Sequence, residues 1–206
     1  MLIKKIYIIL VVCLIFTACS KNPAKSKISD LSNKELYKRG WEYYLTNDYA
    51  NSVKYFNVLS NRPEFYLEGY QGLAWNYLKL NQPLNAKLYF NRFFDQDSLD
   101  LVLPSDSTYL DAKVGLAFSH QILGEHQSVI SNTSSINAGW VFSHDSGLNY
   151  EDVVLCRAVS YYQLKQYSEA LLMVKILDAD FEADISFLEG RIALAQKIEE
   201  LKIQLD

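Results

Sequence analysis

The feature that most constrains this chain is an internal repeat. The stretch running through Gly40, Trp41, Tyr43, Tyr49, Ser52 and Phe56 returns 34 residues later, in unbroken register, as Ala74, Trp75, Tyr77, Pro83, Ala86 and Phe90. A third copy runs from Ala117 through His120, Gly124 and His126 to Val129, after an insertion around residues 95–105. A fourth runs from Ala158 through Tyr161, Tyr167 and Ala170 to Val174. Repetition at this period marks stacked supersecondary units, none of which buries its apolar face alone. Small residues let two helices of a unit approach closely, and the bulky residue that ends a unit fills the gap to the next. The expected fold is all-α, with about four helix-turn-helix repeats.

Local punctuation agrees. Ser32 and Glu35 have capping-box spacing at the start of the first helix, Pro63 ends the first repeat, and Pro83 suits the first turn of a helix. Asn149 followed by Glu151 and Asp152 opens the fourth repeat with a cap and an acidic first turn. The second helix of repeat three soon meets the polar run 131–135 and is predicted to be short. After Asp178 the apolar positions Phe181, Ile185, Leu188, Ile192, Ala195, Ile198, Leu201 and Leu205 step by three or four. They predict a final helix with one apolar stripe, acting as a terminal cap or, alternatively, as a dimer-forming surface.

The ordered set of a small residue, a Tyr three positions on, a turn, a second small residue and an aromatic four positions later resembles the tetratricopeptide repeat. That resemblance implies a right-handed α-solenoid over residues 32–206. It also implies a concave face carrying Trp41, Trp75, Phe118 and Val159, with Tyr37, Tyr44, Gln71, Leu78, Val114 and Tyr162 one turn away. A groove lined in this way suits an extended apolar or aromatic peptide, because Trp and Tyr dominate binding hot spots. The competing reading is that these rings pack against neighbouring helices, since position gives direction and not exposure. Members of the family that grip a C-terminal carboxylate use Lys and Asn on this face. Trp41 and Trp75 stand at those Asn sites, which excludes that ligand.

Residues 1–18 read as a secretory signal: Lys4 and Lys5, an apolar run from Ile6 to Phe16, then small residues. The run is much shorter than the roughly 20 residues of a spanning helix. Phe16, Thr17, Ala18 and Cys19 resemble the bacterial lipobox, which implies acylation of Cys19 and a lasting hold on a bilayer. Residues 19–31 lack apolar periodicity and read as a tether. Ser20 stands where an inner-membrane retention signal would place Asp, so the resemblance implies the outer membrane, facing the periplasm. Over residues 19–94 the chain is also broadly similar to the tetratricopeptide lipoprotein that serves outer-membrane β-barrel assembly.

Charge and chemistry narrow the function. The net charge of −4 falls to nearer −6 once Lys4 and Lys5 are removed, the opposite of what a duplex-binding protein needs. Cys13 leaves with the signal and Cys19 is lipidated, so Cys156 stays alone and no intrachain disulfide is expected. The chain has no glycine-rich phosphate loop, nucleophile elbow or paired-histidine zinc helix, so neither cofactor nor metal is expected. The acidic run from Asp95 lacks the Gly and Glu of a calcium loop. His120 takes a core Tyr position of the repeat. The loop 138–150 carries Trp140, Phe142, His144 and Asp145, read either as a plug beside the short helix or as a contact surface. Together these features predict a membrane-anchored envelope lipoprotein that is not an enzyme and acts as a protein-protein interaction scaffold, in outer-membrane or envelope assembly. The alternatives are a structural homodimer through the last helix, and an envelope enzyme or ligand-binding protein using His144 and Asp145 with Cys156.

Overall fold

A computed structural model of the chain describes residues 27–97 and 106–205. Residues 1–18 read as a signal, Cys19, the residues up to 26 read as part of a tether, and insertion residues 98–105 lie outside the described residues. By its contacts the chain divides into residues 1–31 and 32–206. In the first unit, Ile28–Asp30 form a single 3-10 turn, with the Lys27 N–H donating to Asp30 Oδ2 at 3.3 Å.

The second unit is all-helical among the described residues. Its helices are α1 (Asn33–Leu45), α2 (Tyr49–Leu59), α3 (Tyr66–Lys79), α4 (Pro83–Asp97), α5 (Asp106–Ile122), α6 (His126–Thr133), α7 (Tyr150–Gln163), α8 (Tyr167–Leu177) and α9 (Leu188–Leu205). None of these is long and apolar enough to cross a membrane. The predicted caps form as read. Ser32 Oγ accepts the Glu35 N–H at 3.3 Å while the Ser32 N–H donates to Glu35 Oε2 at 3.1 Å. Asn149 does the same for α7, with the Glu151 N–H on its Oδ1 and its own N–H on Asp152 Oδ2, both at 2.8 Å.

One turn joins the helices of every hairpin. Asn47, Asn81, Gly124 and Lys165 all take positive φ, at 61°, 55°, 74° and 60°. In each case the next residue's N–H reaches back to the carbonyl five positions earlier: Asp48 to Tyr43, Gln82 to Tyr77, Glu125 to His120 and Gln166 to Tyr161. This is the Schellman closure, which satisfies carbonyls that a helix end otherwise leaves bare. Four unlike sequences therefore make one turn in one register.

Each helix packs on the next, and α1, α3, α5, α7 and α9 also touch in succession. The small residues lie at the hairpin interfaces, fully enclosed: Gly40 with Ser52, Ala74 with Ala86, Ala158 with Ala170. Ser52 Oγ donates to the Gly40 carbonyl at 2.7 Å, which requires the close approach. Phe56 on α2 and Phe90 on α4 fill the space between hairpins. A Cβ on Gly40 would stand 2.7 Å from Phe56, one on Gly72 would stand 2.3 Å from the same ring, and one on Gly115 would stand 2.1 Å from Phe90. Each buried ring contributes roughly 1.5–3 kcal/mol on transfer from water.

The final helix departs from the expectation. Residues 178–187 are not helical, and Phe181 and Ile185 reach the α7–α8 core from that irregular segment. Leu194, Ile198 and Leu201 form the buried face of α9, whereas Leu188 is 65% exposed and Ile192 is 47% exposed. The reason is geometric. The successive steps of three from Ile192 to Leu201 fall short of the 3.6-residue turn, so the stripe drifts by about a sixth of a turn at each step. α6 is short, as the sequence implies, at 8 residues.

Two measurements of urea unfolding test this packing. Gly72→Ala drives a methyl into the enclosed Phe56 ring and is expected to cost about 1–3 kcal/mol, whereas an unchanged midpoint would mean that the ring yields freely. Lys165→Gly relieves a left-handed side-chain residue and is expected to add about 0.5–1 kcal/mol. A loss instead would show that the Lys165 turn is not held in that conformation.

Candidate functional site

α6 supplies two turns where the other second helices supply three or more, and the chain after it takes another path. Residues 134–149 run across α1, α3 and α5 as a strap. Arg157 on α7 holds its start, donating through Nη2 to the carbonyls of Thr133 and, at 3.0 Å, Ile136. An isolated bridge between Val141 and Asn149 closes its far end, with the Phe142 N–H on the Leu148 carbonyl at 2.9 Å.

Asp111 on α5 anchors the middle. Its Oδ1 accepts Trp140 Nε1 at 3.0 Å, and its Oδ2 accepts the Ser143 N–H at 3.3 Å and the Ser143 hydroxyl at 2.6 Å. Burial pushes this carboxyl above the usual range despite the three donors. Sequence reading passed over Asp111. The available signal was its spacing: Asp111, Val114 and Phe118 share one helix face, and an acidic residue in that apolar row needs buried donors.

The anchored strap inserts Phe142 among the rings read as the groove. Its centroid lies 4.3 Å from Trp75, 5.9 Å from Trp41 and 6.4 Å from Tyr44. His144 stacks flat on Trp41 at 3.6 Å, and a 3.1 Å hydrogen bond joins its Nε2 to the Tyr37 hydroxyl. Trp75 also meets Phe118 edge-on at 6.3 Å. The structure thus brings Tyr37, Trp41, Tyr44, Trp75 and Phe118 together with Phe142 and His144.

An open groove does not exist in this conformation. Trp41 is 5% exposed, Trp75 is 2% exposed and Tyr44 is buried, because the strap covers the face that the repeat leaves bare beside the short α6. Val114 is buried as well, and Gln71 turns its amide to the Thr108 carbonyl at 3.3 Å. Tyr162 belongs elsewhere: its hydroxyl donates to the Arg191 carbonyl on α9 at 3.2 Å, and its ring meets Tyr167. Of the loop residues read as a contact surface, Trp140 and Phe142 point inward and are buried. Asp145 keeps partial access and accepts the Gly147 N–H at 3.0 Å.

Three groups on the covered face are chemically unfinished. Trp75 Nε1 and the Tyr44 hydroxyl are buried without a hydrogen-bond partner. Trp41 Nε1 lies toward the Tyr37 oxygen without completing a bond of good geometry. A buried donor left unpaired costs about 1–3 kcal/mol relative to its hydrated state.

The Cys156 and His144 pair is not assembled. Cys156 is enclosed by Ala117 and Val129, with burial pushing its thiol pKa up, while His144 lies against Trp41 and Tyr37. His120 is buried and bonded to Glu125, which also takes Lys87. Among the described residues no three His, Cys, Asp or Glu side chains gather as a metal site.

Burial lowers the pKa of His144 to about 4. Because the folded value lies below that of the unfolded chain, protonation favours release of the strap. The contribution is complete above about pH 6.5 and is lost as the pH falls toward 4, up to about 3 kcal/mol. Asp111, raised by burial, acts with the opposite sign, so the histidine is isolated by difference. Stability of the wild type is expected to fall between pH 7 and pH 5 more steeply than that of His144→Gln, and parallel profiles would show that the imidazole is not held neutral. No protein-family model, curated protein or solved structure matches the chain.

Proposed function

We propose that this chain is a lipid-anchored helical-repeat lipoprotein of a bacterial envelope, held in the outer membrane on the periplasmic side, which serves as an adaptor for protein partners. The solenoid is of the tetratricopeptide kind and right-handed. The observation that carries this reading is the fourfold recurrence of one hairpin, with the same left-handed turn residue and the same back-reaching hydrogen bond at Asn47, Asn81, Gly124 and Lys165. Such arrays offer a long rigid surface and supply little chemistry of their own, which suits assembly rather than catalysis. Acylated Cys19 fixes the place at a bilayer. The nearby partner is then a protein or peptide of the envelope; neither cofactor nor nucleic acid enters.

A second reading, association of two copies through α9, draws on the exposed Phe187, Leu188, Ile192 and Ile203. It requires a mass that rises with concentration and falls back in a chain truncated after Asp180.

The anchor is tested by metabolic labelling with palmitate followed by fractionation of the envelope. Cys19→Ala is expected to lose the label and to leave the membrane fraction. Membrane retention by the unlabelled variant would overturn the lipoprotein reading.

A further inference from the structure

The strap shows how this molecule fills its inner face. Between α1 and α3 it lodges one apolar side chain, Phe142, with ring centroids 5.9 Å from Trp41 and 4.3 Å from Trp75. Those two rings stand one residue beyond the small residue of their repeats, and Val159 on α7 holds the same position in the fourth repeat. Beside Val159 lies an open recess of about 210 Å³ whose described walls come from α7 and α9, and none of the strap residues lines it. Val159, Ala195 and Ile198 give it an apolar lining, and Gln163 stands exposed at its edge. The other edge carries Glu199 and Lys202, an ion pair at 2.7 Å.

Size and charge define what this recess accepts. Pockets for cofactors and drug-sized molecules run to roughly 300–1,000 Å³, so about 210 Å³ has room for a single side chain. The lining offers carbon, and the two charges at the edge already pair with each other, so the recess selects an apolar side chain rather than an acid or a base. Gln163 brings an amide donor and an amide acceptor to that edge, the two groups that a peptide unit pairs with. We propose that the recess between α7 and α9 is where a protein partner docks, through a non-helical segment that inserts one apolar side chain of leucine size and sets a neighbouring peptide group on the Gln163 amide. The inference rests on the adaptor reading and deepens it: the strap closes the face of α1, α3 and α5, and this interval stays open for the partner. Phe142 is the precedent inside the same chain, a side chain delivered by a segment of turns into the space between two neighbouring helices of the row α1, α3, α5, α7 and α9.

The probe is N-acetyl-leucine N-methylamide, one apolar side chain flanked by two peptide groups, with the corresponding glycine compound as control. Each is titrated into the full, methyl-labelled chain and followed by NMR through the millimolar range, where a ligand of this size binds. The leucine compound is expected to give saturable shifts at the Val159 and Ile198 methyls, and the glycine compound none. Gln163→Ala is expected to weaken binding about three- to tenfold, the value of one hydrogen bond. Ala195→Leu, which puts a side chain into the recess, is expected to abolish the shifts. Absence of saturable shifts in the wild type, an equal response to the glycine compound, or unchanged binding by either variant overturns the proposal.

Should Ala195→Leu not fold, the two compounds on the wild type and on Gln163→Ala, which alters only an exposed side chain, decide. The two readings fail separately. An envelope partner captured equally by the wild type and the Ala195→Leu chain, with no response to the leucine compound, leaves the adaptor standing without this site. Binding of the leucine compound by a chain that acquires no lipid at Cys19 keeps the site and removes the envelope adaptor.

Discussion

The structure depends on two aromatic rings seated against glycines. Phe56 on α2 lies between Gly40 on its own hairpin and Gly72 on the next, and Phe90 on α4 lies against Gly115. These contacts are closer than any side chain would permit. They set the separation of α1, α3 and α5 and so turn independent hairpins into one row. A ring enclosed on both sides gains dispersion contacts over its whole surface, whereas a gap of an ångström would forfeit much of that gain. The glycines cost helix propensity, about 1 kcal/mol each relative to Ala, and the packed rings more than offset it.

Once that row is fixed, its inner face must be covered. Trp41, Tyr44, Trp75 and Phe118 stand along α1, α3 and α5 with their apolar area on one side. The short α6 releases enough chain to cross this face. The crossing is a succession of turns rather than a helix, so its backbone groups need other partners, some of them supplied by its own turns. Asp111 answers part of that need by accepting from the Ser143 backbone as well as from two side chains, and the Phe142 and Leu148 pair answers more. The buried carboxylate and the strap are therefore mutually dependent: removal of either leaves the other with unpaired polar groups in a low-dielectric place.

How much of this was legible in the sequence follows from the range of each interaction. The hairpins, their caps and the small-to-large pattern are local or strictly periodic, and Ser32, Asn149, Gly40 and Phe56 announced them. The turn residues were also present, although Lys165 hides a left-handed conformation that Asn47 and Gly124 suggest. The direction of Trp41 and Trp75 was readable from helix register, but their exposure was not. Exposure depends on a segment roughly 100 residues away in sequence from Trp41, and no period links the two. Asp111 escaped for the same reason, since its donors arrive from the strap. On α9 the failure was arithmetical: a stripe that steps too often by three rotates away from the face it began on, leaving Leu188 and Ile192 in solvent.

The electrostatics of the strap argue that it is more than filler. An apolar residue at position 144 would stack on Trp41 without losing stability in mild acid, and an apolar residue at 111 would remove a costly buried carboxyl. Both positions instead carry titratable groups whose pKa values burial displaces, and both sit at the strap's points of attachment rather than within the glycine-and-phenylalanine row. The row is built of apolar contacts that do not titrate, while the strap is fastened in part by groups that do. That division places the least uniform part of the fold directly over its most aromatic surface.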